Sequence, residues 1–330
     1  MAQRIAVIGC GQFGTVLACH CAKAGHEVSL WGRDAQEIAP LLANRESPRI
    51  KGLRIAESIA ITIDSRHAMS GADLVITAIP AQYARSIWKV LGKDCPKSAC
   101  VVTVAKGFEV ESKMRPSEVL ASMNIGGEIV TLSGPTIATE AARGLPTALV
   151  AAGSESATLH VQKALATDSW RIYCTTDQVG VEAAGAIKNV IALAAGMVDG
   201  MELGMNAKAT LLARGLAEIS RLGIALGGRR ETFFGVAGVG DLATTCFSMD
   251  GRNRTLGERI GRGESCDSAV KSMESVVEGV ETCRVVVQLA QQHGVEMPIA
   301  NAVHGVLFSG LSPRSALQEL MRRNSGEERI

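Results

Sequence analysis

The stretch Ile5-Ala-Val-Ile-Gly-Cys-Gly-Gln-Phe-Gly-Thr-Val-Leu-Ala18 decides the fold. Its first four residues form an apolar run with the character of a buried strand, and the segment after Gly11 has helical spacing. Between them Gly9, Gly11 and Gly14 make a GxGxxG pattern in the context that dinucleotide binding requires, strand before and helix after. Gly9 allows the tight turn, Gly11 lets a pyrophosphate approach the backbone, and Gly14 lets helix and strand pack closely. The helix N-terminus then presents unpaired N–H groups to the phosphates.

Outward from this unit the pattern repeats. Strands are expected at Glu27–Trp31, Asp73–Ile79, Cys100–Ala105, Glu128–Ser133 and Thr147–Ala151. Several are continuous apolar runs, as strands covered on both faces should be, and helical segments lie between them. The expectation is an α/β N-terminal Rossmann dinucleotide-binding domain with a predominantly parallel sheet. Strand-like runs fade beyond the polar break Thr175-Thr-Asp-Gln-Val-Gly180. Long amphipathic stretches take over, one from a possible cap at Asn206, another over Glu278–His293. The expected domains are 1–178, binding NAD(P), and 179–330, an all-α domain for substrate and dimerisation. The last residues, Asn324 to Ile330, read as a polar tail.

Composition narrows the function. Among 330 residues the net charge is +1 and 3% are aromatic, which gives no general attraction to nucleic acid and no base-stacking platform. The N-terminus runs straight into a strand without the longer apolar stretch of a signal peptide, and no apolar run approaches the roughly 18 residues of a membrane span. Nine cysteines without a regular framework read as reduced thiols of a cytoplasmic protein. Zinc is not expected, since there is no CxxC and the histidines are scattered.

The second strand ends in Ser29-Leu-Trp-Gly-Arg-Asp34. Strict NAD use would place an acid at the strand end to take the ribose hydroxyls. Gly32 and Arg33 stand there instead, with Asp34 one step beyond. Arg33 can hold a 2′-phosphate, which favours NADP(H) or tolerance of both cofactors, or it can be a solvated surface residue.

Further along, Lys106 and Gly107 follow a strand, at the carboxyl edge where open α/β sheets bind ligands. Gly134, Pro135 and Thr136 follow the next strand in the same way. Asp241 comes after a glycine run and can cap a helix as well as serve a site. Arg252 and Asn253 open a helix, a good place for a phosphate. Lys188 lies in the apolar segment Val181–Gly196, its helical neighbours being Val181, Ala184, Gly185, Ile191, Ala192 and Ala195. It can lay its stem on apolar surface and reach water, or sit buried with a lowered pKa.

Taken in order, GxGxxG, Ala105-Lys-Gly, Ser133-Gly-Pro-Thr, Gly185-Ala-Ile-Lys-Asn-Val, Ala237-Gly-Val-Gly-Asp-Leu, Arg252-Asn-Arg and Val276-Val-Glu-Gly resemble the bacterial type of NAD(P)-dependent glycerol-3-phosphate dehydrogenase. The resemblance covers Ile5 to about Leu320. It implies reversible reduction of dihydroxyacetone phosphate to sn-glycerol 3-phosphate with NADP(H) and/or NAD(H), supplying glycerophospholipid synthesis. It implies Lys188 as general acid/base, with Lys106 and Asp241 beside it. It also implies substrate contacts from Lys106, Gly134, Thr136, Lys188, Asn189, Asp241, Thr245, Gly251, Arg252 and Asn253. The cofactor would be lined by Gly9, Gly11, Gln12, Phe13, Gly14, Arg33, Lys106, Ala138, Arg252, Val276 and Glu278. Gly251 stands where many relatives carry a substrate-binding serine, so that side-chain contact is missing. Apolar helical surfaces in the second half suggest a homodimer.

Two other readings compete. A phosphogluconate-type or ketopantoate-type reductase shares the architecture and also uses a lysine, but Arg252-Asn253 favours a three-carbon phosphate. A catalytically silent NADPH-binding regulator would keep the glycine loop without needing Lys106, Lys188 and Asp241 together.

Overall fold

In the computed structural model, which describes residues 2–273 and 276–323, the chain divides into two units. The first comprises Met1–Ala105 and Pro116–Gln178; the second comprises Lys106–Arg115 and Val179–Ile330. The tail expected over Asn324–Ile330 lies outside the described residues.

The first unit is built on an eight-stranded sheet: β1 (Arg4–Ile8), β2 (Glu27–Trp31), β3 (Ala60–Thr62), β4 (Leu74–Thr77), β5 (Cys100–Thr103), β6 (Ile129–Ser133), β7 (Thr147–Ala152) and β8 (Trp170–Thr175). The order is β3-β2-β1-β4-β5-β6-β7-β8, parallel throughout except for the antiparallel β6–β7 pair. The sheet is therefore predominantly parallel, as the runs of Ile, Val and Leu require. Two strands were not expected. β3 is three half-buried residues, too short for a period to show. β8 alternates Trp170 and Ile172 inward with Arg171 and Tyr173 outward, a half-exposed edge pattern that was legible.

Strand order reverses between β1 and β4, and in this fold ligands bind at the carboxyl ends beside such a switch point. There the chain crowds. Gly9 has φ +111°, and a Cβ on it would meet the Ala78 carbonyl oxygen at 2.9 Å. A Cβ on Gly14 would lie 1.9 Å from the Gly9 oxygen. Helix α1 (Gln12–Lys23) thus starts directly on the end of β1, and Gly11 caps it without a side-chain bond.

The second unit is helical in its described residues. Its centre is helix Gln178–Gly200, buried from Gly180 to Val198. This helix is long and apolar enough to cross a membrane, with a mean hydropathy of 1.5, yet its apolar stretch is wholly buried in the protein. It corrects the expectation that no apolar run approaches that length: Glu182, Lys188, Asn189 and Asp199 interrupt it in the sequence. Ile187, Ile191, Leu193, Leu222, Phe233, Leu256 and Val286 pack in one core with Phe108.

Asn206 is not a cap. Helix Gly204–Ala225 begins two residues earlier, after Leu203, with φ +80° at Gly204 turning the chain.

Candidate active site

Lys188 does not reach water. It is 4% exposed, halfway along the central helix. Its Nζ donates to Asp241 Oδ1 at 2.6 Å and to Thr245 Oγ1 at 2.5 Å. Thr245 in turn donates to the Asp241 carbonyl at 2.7 Å, so its oxygen is left oriented to accept from the lysine. The second carboxylate oxygen of Asp241 accepts from Lys106 Nζ at 2.7 Å. One buried carboxylate, 1% exposed, therefore bridges two ammonium groups.

Asp241 is free for this because it caps nothing. The glycine run before it forms a π-helical turn, Val236–Gly240, which leads without a break into helix Asp241–Phe247. Gly238 is needed there, since a Cβ would strike the Phe233 carbonyl oxygen at 2.1 Å. With no open helix end at this point, the Asp241 side chain turns to the lysines.

Burial pushes the Lys188 pKa down to about 8. The Asp241 charge opposes that fall, and the Lys106 charge adds to it. An ammonium near its titration point, in a dry site and anchored at two points, can donate a proton to a developing alkoxide or take one from a hydroxyl.

Lys106 opens the segment Lys106–Arg115, which is part of the second unit. Asn189 Nδ2 donates to the Lys106 carbonyl at 3.0 Å, and Arg115 pairs with buried Glu182 at 2.8 Å. Asn189 thus holds the backbone that presents Lys106.

Arg252 and Asn253 do open a helix, Arg252–Gly261, capped by Gly251 with no side-chain bond. Arg252 Nη1 donates to the Val276 carbonyl at 2.8 Å. Asn253 Oδ1 accepts from Gly279 N at 3.0 Å, next to Glu278 at the start of helix Glu278–His293. A Cβ on Gly279 would meet the Asn189 carbonyl at 3.0 Å, so this corner abuts the residue next to Lys188. The backbone at Gly251 (φ −76°, ψ 111°) suits a serine as well as a glycine.

Sequence reasoning missed what holds that helix in place. Gly196 and Gly200 on the central helix face Gly257 and Gly261. A Cβ on Gly196 would lie 2.0 Å from the Arg254 oxygen, and one on Gly257 would lie 2.0 Å from the Leu193 oxygen. Asp199 clamps the crossing, accepting from Arg254 Nε at 2.6 Å and Lys208 Nζ at 2.7 Å. The Gly-x-x-x-Gly spacing in both helices was the available signal.

The remaining expected residues belong to the first unit. A Cβ on Gly11 would meet no protein atom within 4 Å, so the space in front of the loop stays open where a pyrophosphate would come close. Gln12 Nε2 donates to the Arg49 carbonyl at 3.1 Å. Phe13 stacks on Trp170, centroids 6.4 Å apart. Arg33 is exposed and pairs with Asp34 at 3.1 Å. Gly134 has φ +143°, and Thr136 Oγ1 donates to its carbonyl at 2.8 Å. Ala138 opens the short helix Ala138–Ala142. The open glycine cradle, the uncapped helix start and the switch point fit a nicotinamide dinucleotide. No group of three or more His, Cys, Asp or Glu suited to a metal occurs among the described residues.

Comparison with known proteins agrees in both halves. The family model for the N-terminus of NAD-dependent glycerol-3-phosphate dehydrogenase matches residues 4–159, and the model for the C-terminus matches residues 177–318. The glycerol-3-phosphate dehydrogenase (NAD(P)+) of Thermoanaerobacter sp. (strain X514) is 41% identical over 327 residues, 99% of each chain. That of Pelodictyon phaeoclathratiforme is 43% identical over 335 residues, covering 99% of this chain and all of the relative. A crystal structure of glycerol-3-phosphate dehydrogenase from Coxiella burnetii superposes with a TM-score of 0.93 at 31% identity, covering 98% of this chain and 99% of that one.

Proposed function

The chain belongs to the NAD-dependent glycerol-3-phosphate dehydrogenase family and is an NAD(P)-dependent oxidoreductase; from that premise we propose that it reduces dihydroxyacetone phosphate to sn-glycerol 3-phosphate, with Lys188 as general acid. When bound, the reduced nicotinamide supplies a hydride to the ketone carbon. The dinucleotide would be held at Gly9, Gly11, Gln12, Phe13, Gly14, Arg33 and Ala138 in the first unit. Lys106, Arg252, Val276 and Glu278 serve it in the second.

The observation that carries this reading is the buried ammonium of Lys188, fixed by Asp241 and Thr245 and brought to a pKa of about 8. As charge grows on the ketone oxygen, Lys188 stabilises it and then donates its proton. Asp241 keeps both ammonium groups in place, and Lys106 adds a second positive charge. Arg252, on the first turn of its helix, takes the phosphate together with the N–H groups around Asn253. Asn189, Thr245, Gly251, Gly134 and Thr136 complete the substrate contacts. At neutral pH Lys188 lies below its pKa and is mainly the proton donor, which favours reduction over oxidation. The product is the backbone of glycerophospholipids, and a role in supplying their synthesis in the cytoplasm follows. A homodimer, which the family resemblance and the apolar helices of the second half suggest, is part of this reading.

The test mixes purified protein with dihydroxyacetone phosphate and NADPH or NADH and follows loss of the reduced nicotinamide. Lys188→Met keeps the volume and removes the ammonium. Turnover by the wild type, with kcat lowered about 10³-fold or more in a variant that still binds cofactor, is the expected result. No turnover with either cofactor, from protein that binds NADPH, would overturn the substrate assignment.

A further inference from the structure

The carboxyl end of β2 is where this fold recognises the adenosine ribose of its dinucleotide. By sequence position no acid stands there, yet the structure supplies one. Glu37, in the first turn of helix α2 (Ala35–Asn44), folds back so that its Oε2 accepts the backbone N–H of Arg33 at 2.9 Å. The same carboxylate faces the glycine loop. A Cβ on Gly32 would lie 2.9 Å from Cys10 Sγ and 3.7 Å from Glu37 Oε2. Burial pushes the Cys10 thiol up to about 12, with Glu37 adding to the rise and Arg49 opposing it, so charges of both signs reach this loop. Asp34, the acid visible in the sequence, is engaged otherwise: it caps α2 by accepting from Glu37 N at 2.9 Å and pairs with the Arg33 side chain.

We infer that Glu37 sets the balance between NADH and NADPH. Its carboxylate accepts from the ribose 2′-hydroxyl of NADH and repels the 2′-phosphate of NADPH, whereas Arg33 attracts that phosphate. Opposed charges at one strand end produce a site that takes both cofactors instead of excluding one. The competing role for Glu37 is purely structural, the back-bond of a capping box. Glu37→Gln separates the two, because it keeps the length and the acceptor and removes the charge.

The experiment measures Kd for NADPH and for NADH by titration calorimetry, without substrate, on wild type and E37Q. The expected result is a Kd for NADPH lowered by about tenfold, from removing one charge near a phosphate at intermediate dielectric, and a Kd for NADH raised by roughly threefold. Unchanged constants, or a shift of both by the same factor, would overturn the inference and leave Glu37 as a cap. If E37Q melts far below wild type, Glu37→Asp, which draws the charge back by one methylene, must move the ratio the same way by a smaller factor, and an unmoved ratio there overturns it equally.

Discussion

Lys188 has a lowered pKa because desolvation of its ammonium outweighs the nearby Asp241 charge. Folding brings it down to about 8 from the ordinary lysine value of 10.5 in the unfolded chain. Between these values the unfolded chain binds more protons. Stability from this group therefore rises with pH across that window and is lowest below it. With Lys188 in the proposed role, oxidation of sn-glycerol 3-phosphate needs the neutral amine and should gain rate as pH rises through about 8. Asp241→Asn removes the charge that holds the pKa up, while Lys106 still pushes it down. The expected outcome is a break in the kcat–pH profile for oxidation at lower pH than in wild type, with kcat reduced by about 10²-fold. An unmoved break would show that Lys188 is not the titrating group.

At the scale of elements, the decisive contact is the crossing of helices Gln178–Gly200 and Arg252–Gly261. Glycine is required there because backbone meets backbone, and no side chain fits between the Gly196 and Gly257 turns. The crossing fixes where Arg252 and Asn253 lie relative to Lys188. Gly196→Ala should cost about 1–3 kcal/mol in denaturant unfolding. It should also raise KM for the phosphorylated substrate more than it lowers kcat, and a variant as stable as wild type would mean that the helices separate freely. Element existence was largely legible in the sequence. Helix Glu278–His293 and strand β2 lie where their periodicity puts them, whereas β3 was too short to register. Asn206 looked like a cap because its chemistry suits one, but Gly204 turns the chain first.

For the whole molecule, cofactor binding should couple to stability through the first unit's glycine loop. Gly11 has open space where a side chain would be, so Gly11→Ala should melt like wild type when no cofactor is present. Wild type should gain about 2.7 kcal/mol at a NADPH concentration a hundredfold above Kd, and the variant should lose most of that gain. Equal stabilisation of both proteins in a thermal melt would show that the pyrophosphate does not approach Gly11.

The sequence by itself determined the class of fold, the dinucleotide loop and the candidate residues of the site. These signals are local: a turn that only glycine can make, a strand-to-helix change of period, a charged residue in an apolar stretch. Only the tertiary structure decided which of these side chains meet. Lys106 and Lys188 meet on the carboxylate of Asp241, which lies 135 residues from one and 53 from the other. Asp34 and Glu37 are three residues apart, yet one caps a helix and the other turns toward the glycine loop. Which polar groups meet, and how dry their surroundings are, depends on the packing of distant segments, and no local window of sequence contains that information.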